Sequence, residues 1–346
     1  MTTRQRRSMV ALSSMLAMLA ACGGGGSGAE PGPPSPPPPP PVLSDSQRAA
    51  AATATIASNP KCAPTTLAAY YWEIGDANGA KVSGSVGNGV TASTSLWLFS
   101  SSKWLYAANV VQKHGVVAQD VPFLNFTSGY STFGNAPICV GVPTVDGCLV
   151  GRDGFDPATE TRFAYDSGHM QHHASALMNL GSADNAALAA DLNATVGNFS
   201  FSYTVPQLAA GVVGTPQAYA GFLRRLLRGE LALANALGSH KVCAQAAAPG
   251  CNAAFTPDSI GTEAWNYSLG HWVEDDPTVG DHAFSSAGGG GFYPWIDSSK
   301  TYYGLIARDT RTEGAAGYHS AECGRLVRQA WTTGQAVTTA TPTPSR

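Results

Sequence analysis

Lys103 stands in the stretch Leu96-Trp97-Leu98-Phe99-Ser100-Ser101-Ser102-Lys103-Trp104, whose other members are apolar side chains or small hydroxyls. If Ser100 opens a helix, Lys103 falls at i+3, one turn along on the same face. The Ser100 hydroxyl then meets the Lys103 amine, while Ser101 and Ser102 point elsewhere. A serine is a poor nucleophile until a positioned base takes its proton, and a desolvated lysine is easier to deprotonate. Trp104 to Gln112 is apolar nearly all round, so the helix is expected to be buried on most sides and its lysine to need a buried partner. A helix start also directs backbone N–H groups toward developing negative charge. By itself the spacing is also that of an N-cap followed by a solvated charge. The greasy helix behind it weakens that bland reading without overturning it, and the decision falls to the other blocks.

Two other clusters carry weaker signals. His169, His172 and His173 put imidazoles at i, i+3 and i+4, a spacing that can chelate zinc on a helix. No glutamate base lies among them, so a polar helix face or pocket wall is the preferred reading. Gly288 to Gly291 is rich enough for a phosphate loop, but no Gly-Lys-Ser/Thr follows. It reads as a strand passing close to a ligand, or as a turn. No metal and no cofactor is expected.

Four further blocks resemble the serine β-lactamase-like family, which includes class C β-lactamases, DD-peptidases, class C-type esterases and 6-aminohexanoate-oligomer hydrolases. Leu124-Asn125-Phe126-Thr127-Ser128-Gly129-Tyr130 is similar to its "LLxHTSGL" segment, and Arg162-Phe163-Ala164-Tyr165-Asp166-Ser167-Gly168 to its "FxYSN" block. Tyr267-Ser268-Leu269-Gly270-His271-Trp272 resembles "YGLGW" with His271 as an extra residue. Phe284 to Asp297 is similar to the strand "HxGxGGxxxxWVD". The four stand in the family's order, and the resemblance covers residues 60–335. The resemblance implies acyl transfer. Ser100 becomes acylated, Lys103 and Tyr165 move the proton, and the N–H groups of Ser100 and Gly289 form the oxyanion hole. Which of Lys103 and Tyr165 is the base stays open. It also implies that Asp166, Ser167, Ser286 and Gly288 border the substrate. Ser286 stands where penicillin-recognising members carry a cation, which puts ester hydrolysis ahead of amide hydrolysis. Asp166 is unusual in its block: it could orient Lys103, repel an anionic substrate, or cap the helix that follows.

The positioning elements follow from pattern. Asp45–Ser58 has helical composition, Ala69–Gly87 reads as a hairpin about Asp76-Ala77-Asn78-Gly79, and Gly291–Arg308 as a second hairpin about a Ser-Ser turn. Helices are expected over 167–180, 183–194, 215–237 and 316–331. The expected fold class is α/β (α+β), β-lactamase/transpeptidase-like: an antiparallel sheet flanked by N- and C-terminal helices plus a mostly helical subdomain. The α/β part is placed at about 60–100 and 260–335, the helical part at about 101–259, all within a domain 44–335, with a disordered tail at 336–346.

Arg4, Arg6 and Arg7 precede an apolar run that ends Leu19-Ala20-Ala21-Cys22, similar to a lipoprotein signal peptide over 1–21 with Cys22 as the acylated residue. An ordinary secretory signal cut near Ala21 is the alternative. Residues 22–43 form a glycine- and proline-rich tether, stiff in its proline part. Gly23 after the cysteine favours the outer membrane, so the chain is expected in the cell envelope, lipid-anchored and facing the periplasm. The six remaining cysteines suit an exported chain, and short loops pair Cys139–Cys148 and Cys243–Cys251, leaving Cys62–Cys323. Without a CxxC pair, zinc is the lesser reading. A net charge of −3 from 20 basic and 23 acidic residues excludes nucleic acid as the leading partner. The expected partners are a small-molecule or oligomer ester or amide and, through Cys22, a membrane. The competing functional reading is a non-catalytic envelope-binding lipoprotein that keeps the fold.

Overall fold

The computed structural model describes residues 43–152, 154–257, 260–311 and 315–339. The signal segment, Cys22 and the tether up to residue 42 lie outside the described residues, as do 340–346.

Helix α1, Asp45–Ser58, opens with a capping box: Ser44 Oγ accepts from Gln47 N and Gln47 Oε1 accepts from Ser44 N. It buries Ala51, Ala52, Thr55 and Ile56. Strands β1 (Tyr70–Asp76) and β2 (Gly79–Val86) form the first hairpin, its turn held by Asp76 Oδ1 accepting from Asn78 N and Gly79 N. Four short strands follow much later, β3 (Val242–Cys243), β4 (Asn266–Ser268), β5 (His271–Val273) and β6 (Phe284–Ser285). The expected second hairpin closes the series as β7 (Tyr293–Ile296) and β8 (Tyr302–Ala307), with Asp297 accepting from Thr301 N and Tyr302 N in the turn. All eight strands make one antiparallel sheet in the order β2-β1-β8-β7-β6-β5-β4-β3. The first hairpin and the last strand therefore pair directly, Trp72 opposite Ile306. β7 and β8 are buried on nearly every residue, as strands covered on both faces must be.

The remaining long helices are α2 (Ser102–His114), α3 (Gly168–Ala176), α4 (Asn185–Val196), α5 (Pro216–Leu227) and α6 (Ala316–Thr333). In α2 every residue from Ser102 to Val111 is buried, so it runs through the core as its unbroken apolar character required. The helix expected over 215–237 is shorter: Gly229, at φ +69°, ends α5, and only a 3-10 turn at Ala232–Ala236 follows. The segment 167–180 is helical only to Ala176, and Asn179 already has φ +55°. The middle of the chain also holds three small sheets that composition did not show. Leu96–Trp97 pairs with Val212–Gly214, which pairs with Ser202–Tyr203; Ser128–Tyr130 pairs with Phe155–Glu160; Phe163–Ala164 runs parallel to Ala253–Phe255.

Disulfides join Cys62–Cys323, Cys139–Cys148 and Cys243–Cys251, the pairing expected from spacing. The first ties the segment before β1 to α6. Residues 336–339 are not loose, in contrast to the expected tail: Val337 N donates to Thr55 Oγ1, and Asn59 Nδ2 donates to the carbonyls of Val337 and Thr339. No helix among the described residues is long and apolar enough to cross a membrane.

Candidate active site

Ser100 lies in a 3-10 turn, Phe99–Ser101, that runs straight into α2. Phe99, the residue before it, has φ +46°, a left-handed conformation that costs a bulky L-residue energy. The turn thereby lifts Ser100 to a half-buried position at the head of a buried helix. Lys103 is 1% exposed and donates from Nζ to Ser100 Oγ at 3.0 Å. Its other hydrogen bond goes to the carbonyl of Ala209 at 3.1 Å. Burial pulls the amine down to about 7, against a smaller upward pull from the Asp166 carboxylate.

The three hydroxyls of the triplet take three separate partners. Ser100 faces Lys103. Ser101, fully buried, donates to the carbonyls of Ser286 at 2.5 Å and Phe292 at 3.0 Å. Ser102 accepts from Val212 N at 3.2 Å, fixing the strand after Ala209.

Tyr165 follows the strand Phe163–Ala164 and is 3% exposed. Its backbone is held at both ends, N–H to the carbonyl of Phe255 at 3.2 Å and carbonyl to Asn135 Nδ2 at 2.8 Å. Its ring stacks on Trp272 at 5.3 Å and meets Phe126 edge-on at 5.4 Å, while Lys103 Nζ sits 4.8 Å from its centre. Burial holds the phenol well above its ordinary pKa, with the Ser100 side chain as a smaller pull downward. The nucleophile candidate, the amine and the phenol therefore share one buried corner.

Asp166 turns away from that corner. Its carboxylate accepts from the N–H groups of Phe133, Gly134 and Gly168, at 3.2, 2.8 and 2.7 Å. It caps the first turn of α3 as one reading expected, but from a buried place, and burial raises its pKa. Both oxygens are engaged, and the carboxylate clamps the Phe133–Gly134 loop to the start of α3. Ser167 is fully buried with a hydroxyl that has no partner among the described residues.

The three histidines of α3 diverge. His169 sits between Ser128 Oγ at 2.7 Å and the Ala164 carbonyl at 2.9 Å, and burial drives it down to about 3. His173 sits between Tyr106 Oη at 2.7 Å and Asp120 Oδ1 at 3.1 Å. His172 stacks on Tyr130 at 3.9 Å. Among the described residues no group of three or more histidine, cysteine or acidic side chains could hold a metal.

The last expected segment closes the site. After β6, Gly288 N–H bonds the carbonyl of Phe292 and Gly291 N–H that of Gly288, so Gly288–Gly291 is a tight turn between β6 and β7, with Gly291 at φ +97°. A Cβ on Gly288 would lie 2.4 Å from the Leu98 carbonyl oxygen, while one on Gly289 would meet nothing within 4 Å. Gly288 is thus packed against the turn that carries Ser100, and Gly289 faces open space. Ser286 is 3% exposed and donates to the Ser100 carbonyl at 3.3 Å. That contact joins strand to nucleophile; a free hydroxyl toward substrate is not what the sequence position provides.

Two contributors had no side-chain signal. The Ala209 carbonyl is a backbone group on the segment 205–211, which Gln171 braces by donating to Pro206 O at 2.8 Å and accepting from Leu208 N at 3.2 Å. Phe126, in place of the family's histidine, packs against Tyr165, His169 and Tyr267. A cavity of about 390 Å³ between α1 and the β1–β2 hairpin, lined in part by Ile56, Asn59, Trp72 and Val86, shares no residue with this corner.

No family model matches the chain, and no curated protein matches it in sequence. Solved structures do match its fold. A β-lactamase from Mycobacterium bovis is similar at 15% identity and a TM-score of 0.52, covering 82% of this chain and 99% of that one. A D-stereospecific amidohydrolase from Streptomyces sp. is similar at 14% identity and 0.53, covering 85% and 100%. EstCE1, a hydrolase with promiscuous acyltransferase activity, is similar at 12% and 0.54, covering 83% and 99%.

Proposed function

We propose that this chain, which has the fold of the serine β-lactamase-like family, is a serine hydrolase acting through an acyl-enzyme on Ser100. The observation that carries the reading is the buried Lys103 amine 3.0 Å from Ser100 Oγ and 4.8 Å from the centre of the Tyr165 ring.

Lys103 is the base in this reading. At neutral pH part of the population holds it as a free amine, whereas the phenol stays protonated. As Ser100 Oγ bonds to the substrate carbonyl carbon, its proton passes to Lys103 Nζ. The carbonyl oxygen becomes an anion before the N–H groups of Ser100 and Gly289. When the bond to the leaving group breaks, that group takes a proton from the ammonium by way of the Tyr165 hydroxyl. Water then adds to the acyl carbon and gives a proton to the free amine. As the bond from the acyl carbon to Ser100 Oγ breaks, the ammonium returns that proton to Oγ, releasing the acid with Ser100 and the free amine restored.

Esters rank ahead of amides as substrates. Ser286 supplies no positive charge, and its hydroxyl is spent on the Ser100 carbonyl. A lipid anchor on Cys22 would hold this activity in the cell envelope. The test is a panel of 4-nitrophenyl esters, anilides and a chromogenic β-lactam. Ester turnover is expected to lead, and Ser100→Ala to lower its kcat/KM by about 10³-fold or more, as removing a nucleophile does elsewhere. Equal turnover by wild type and Ser100→Ala would refute the reading.

A further inference from the structure

An antiparallel ladder leaves one carbonyl short where a proline occupies a hydrogen-bonded pair. Ser286 and Pro294 face each other between β6 and β7: Ser286 N–H donates to the Pro294 carbonyl at 3.2 Å, but Pro294 has no N–H to return. The Ser286 carbonyl is buried at the base of the Gly288–Gly291 turn and needs another donor. Ser101 Oγ supplies it at 2.5 Å and lies 3.0 Å from the Phe292 carbonyl on the other side of the same turn. The Phe292 carbonyl also accepts from Gly288 N–H, so one hydroxyl grips both legs of the turn that carries Gly289.

We propose that Ser101 is a positioning residue, admitted to the sheet by Pro294, that fixes the Gly289 N–H relative to the oxygen of its neighbour Ser100. The proposal rests on the acyl-enzyme reading above and deepens it. Nucleophile and clamp are consecutive residues, so any movement of Ser100 carries the anion-binding turn with it. Ser101 is itself anchored, since its carbonyl accepts from the Tyr219 hydroxyl at 2.9 Å. Gly288 fits the same design, because a Cβ there would come within 3.2 Å of Ser101 Oγ and push the turn off its clamp. Ser101 touches no substrate in this account. It acts through Gly289.

The test is a kinetic cycle on the full chain with a 4-nitrophenyl ester. Ser101→Ala is expected to lower kcat by about 10²-fold with KM unchanged, the cost of a misplaced oxyanion donor. The pH at which the rate rises should stay that of wild type, because Lys103 is untouched. Ser101→Cys fills the same space with a weak donor and should fall with Ser101→Ala; it also carries the test if the alanine variant fails to fold. Pro294→Ala restores an N–H to the ladder, so in that background Ser101→Ala should cost less than about tenfold. Wild-type kinetics in Ser101→Cys, or an equal loss with and without Pro294, would overturn the inference. Wild type with no Ser100-dependent turnover would overturn the hydrolase reading and this proposal together, a separate and recognisable result.

Discussion

Lys103 owes its chemistry to being denied water. On a surface it would be an ammonium at every physiological pH; 1% exposed, with one carbonyl and one hydroxyl as partners, it falls to about 7. The folded pKa is depressed below the unfolded one, so the neutral base is populated as pH rises through about 7 and lost below it. Ester kcat/KM should therefore climb roughly tenfold per pH unit below that point and level off above it. Asp166 pulls the amine upward, so Asp166→Asn should move the inflection to lower pH. A pH–rate series on both proteins checks this, and an inflection near the ordinary lysine value would contradict it. Ser100 and Lys103 were legible in the sequence because a side-chain pair leaves a spacing. The Ala209 carbonyl was not, since a backbone group has no residue type to announce it. Asp166 was legible as a residue but not as a role: its two carboxylate oxygens go to three backbone N–H groups contributed by two separate segments.

At the scale of elements, the site is assembled by close approaches that only glycine permits. The Gly288–Gly291 turn sits on the 3-10 turn of Ser100 with 2.4 Å between a virtual Gly288 Cβ and the Leu98 oxygen. Gly288→Ala must drive the two turns apart and should cost about 10²-fold in ester turnover, as a displacement near 1 Å does. Gly289→Ala, with open space and no positive φ, should unfold at the wild-type temperature. Parallel kinetics and thermal unfolding of the two variants provide the check, and identical behaviour would contradict the packing argument. The long hairpins and α1 were readable because alternation, a capping box and turn residues are local signals. The three small sheets were not. All but one of their strands have two or three residues, as in Phe163–Ala164, too few positions to show a period, although that one delivers Tyr165.

For the whole molecule, the antiparallel sheet closes by pairing its first strand with its last, and the Cys62–Cys323 disulfide ties the same two chain ends together. Against that frame α2 is threaded through the core, and Tyr165, 62 positions after Lys103 in the chain, is carried to within a ring contact of it. This long-range meeting was legible only through resemblance to a family, because no local pattern in 104–164 dictates where residue 165 ends up. It is also what the hydrolase reading depends on. The most direct measurement is peptide-mapped mass spectrometry of the protein quenched in acid during turnover of a slow aryl ester. The account predicts the mass of the acyl group on the peptide containing Ser100, present in wild type and absent in Ser100→Ala. Substrate turnover with no acyl group on Ser100, or with the acyl group on another residue, would contradict it.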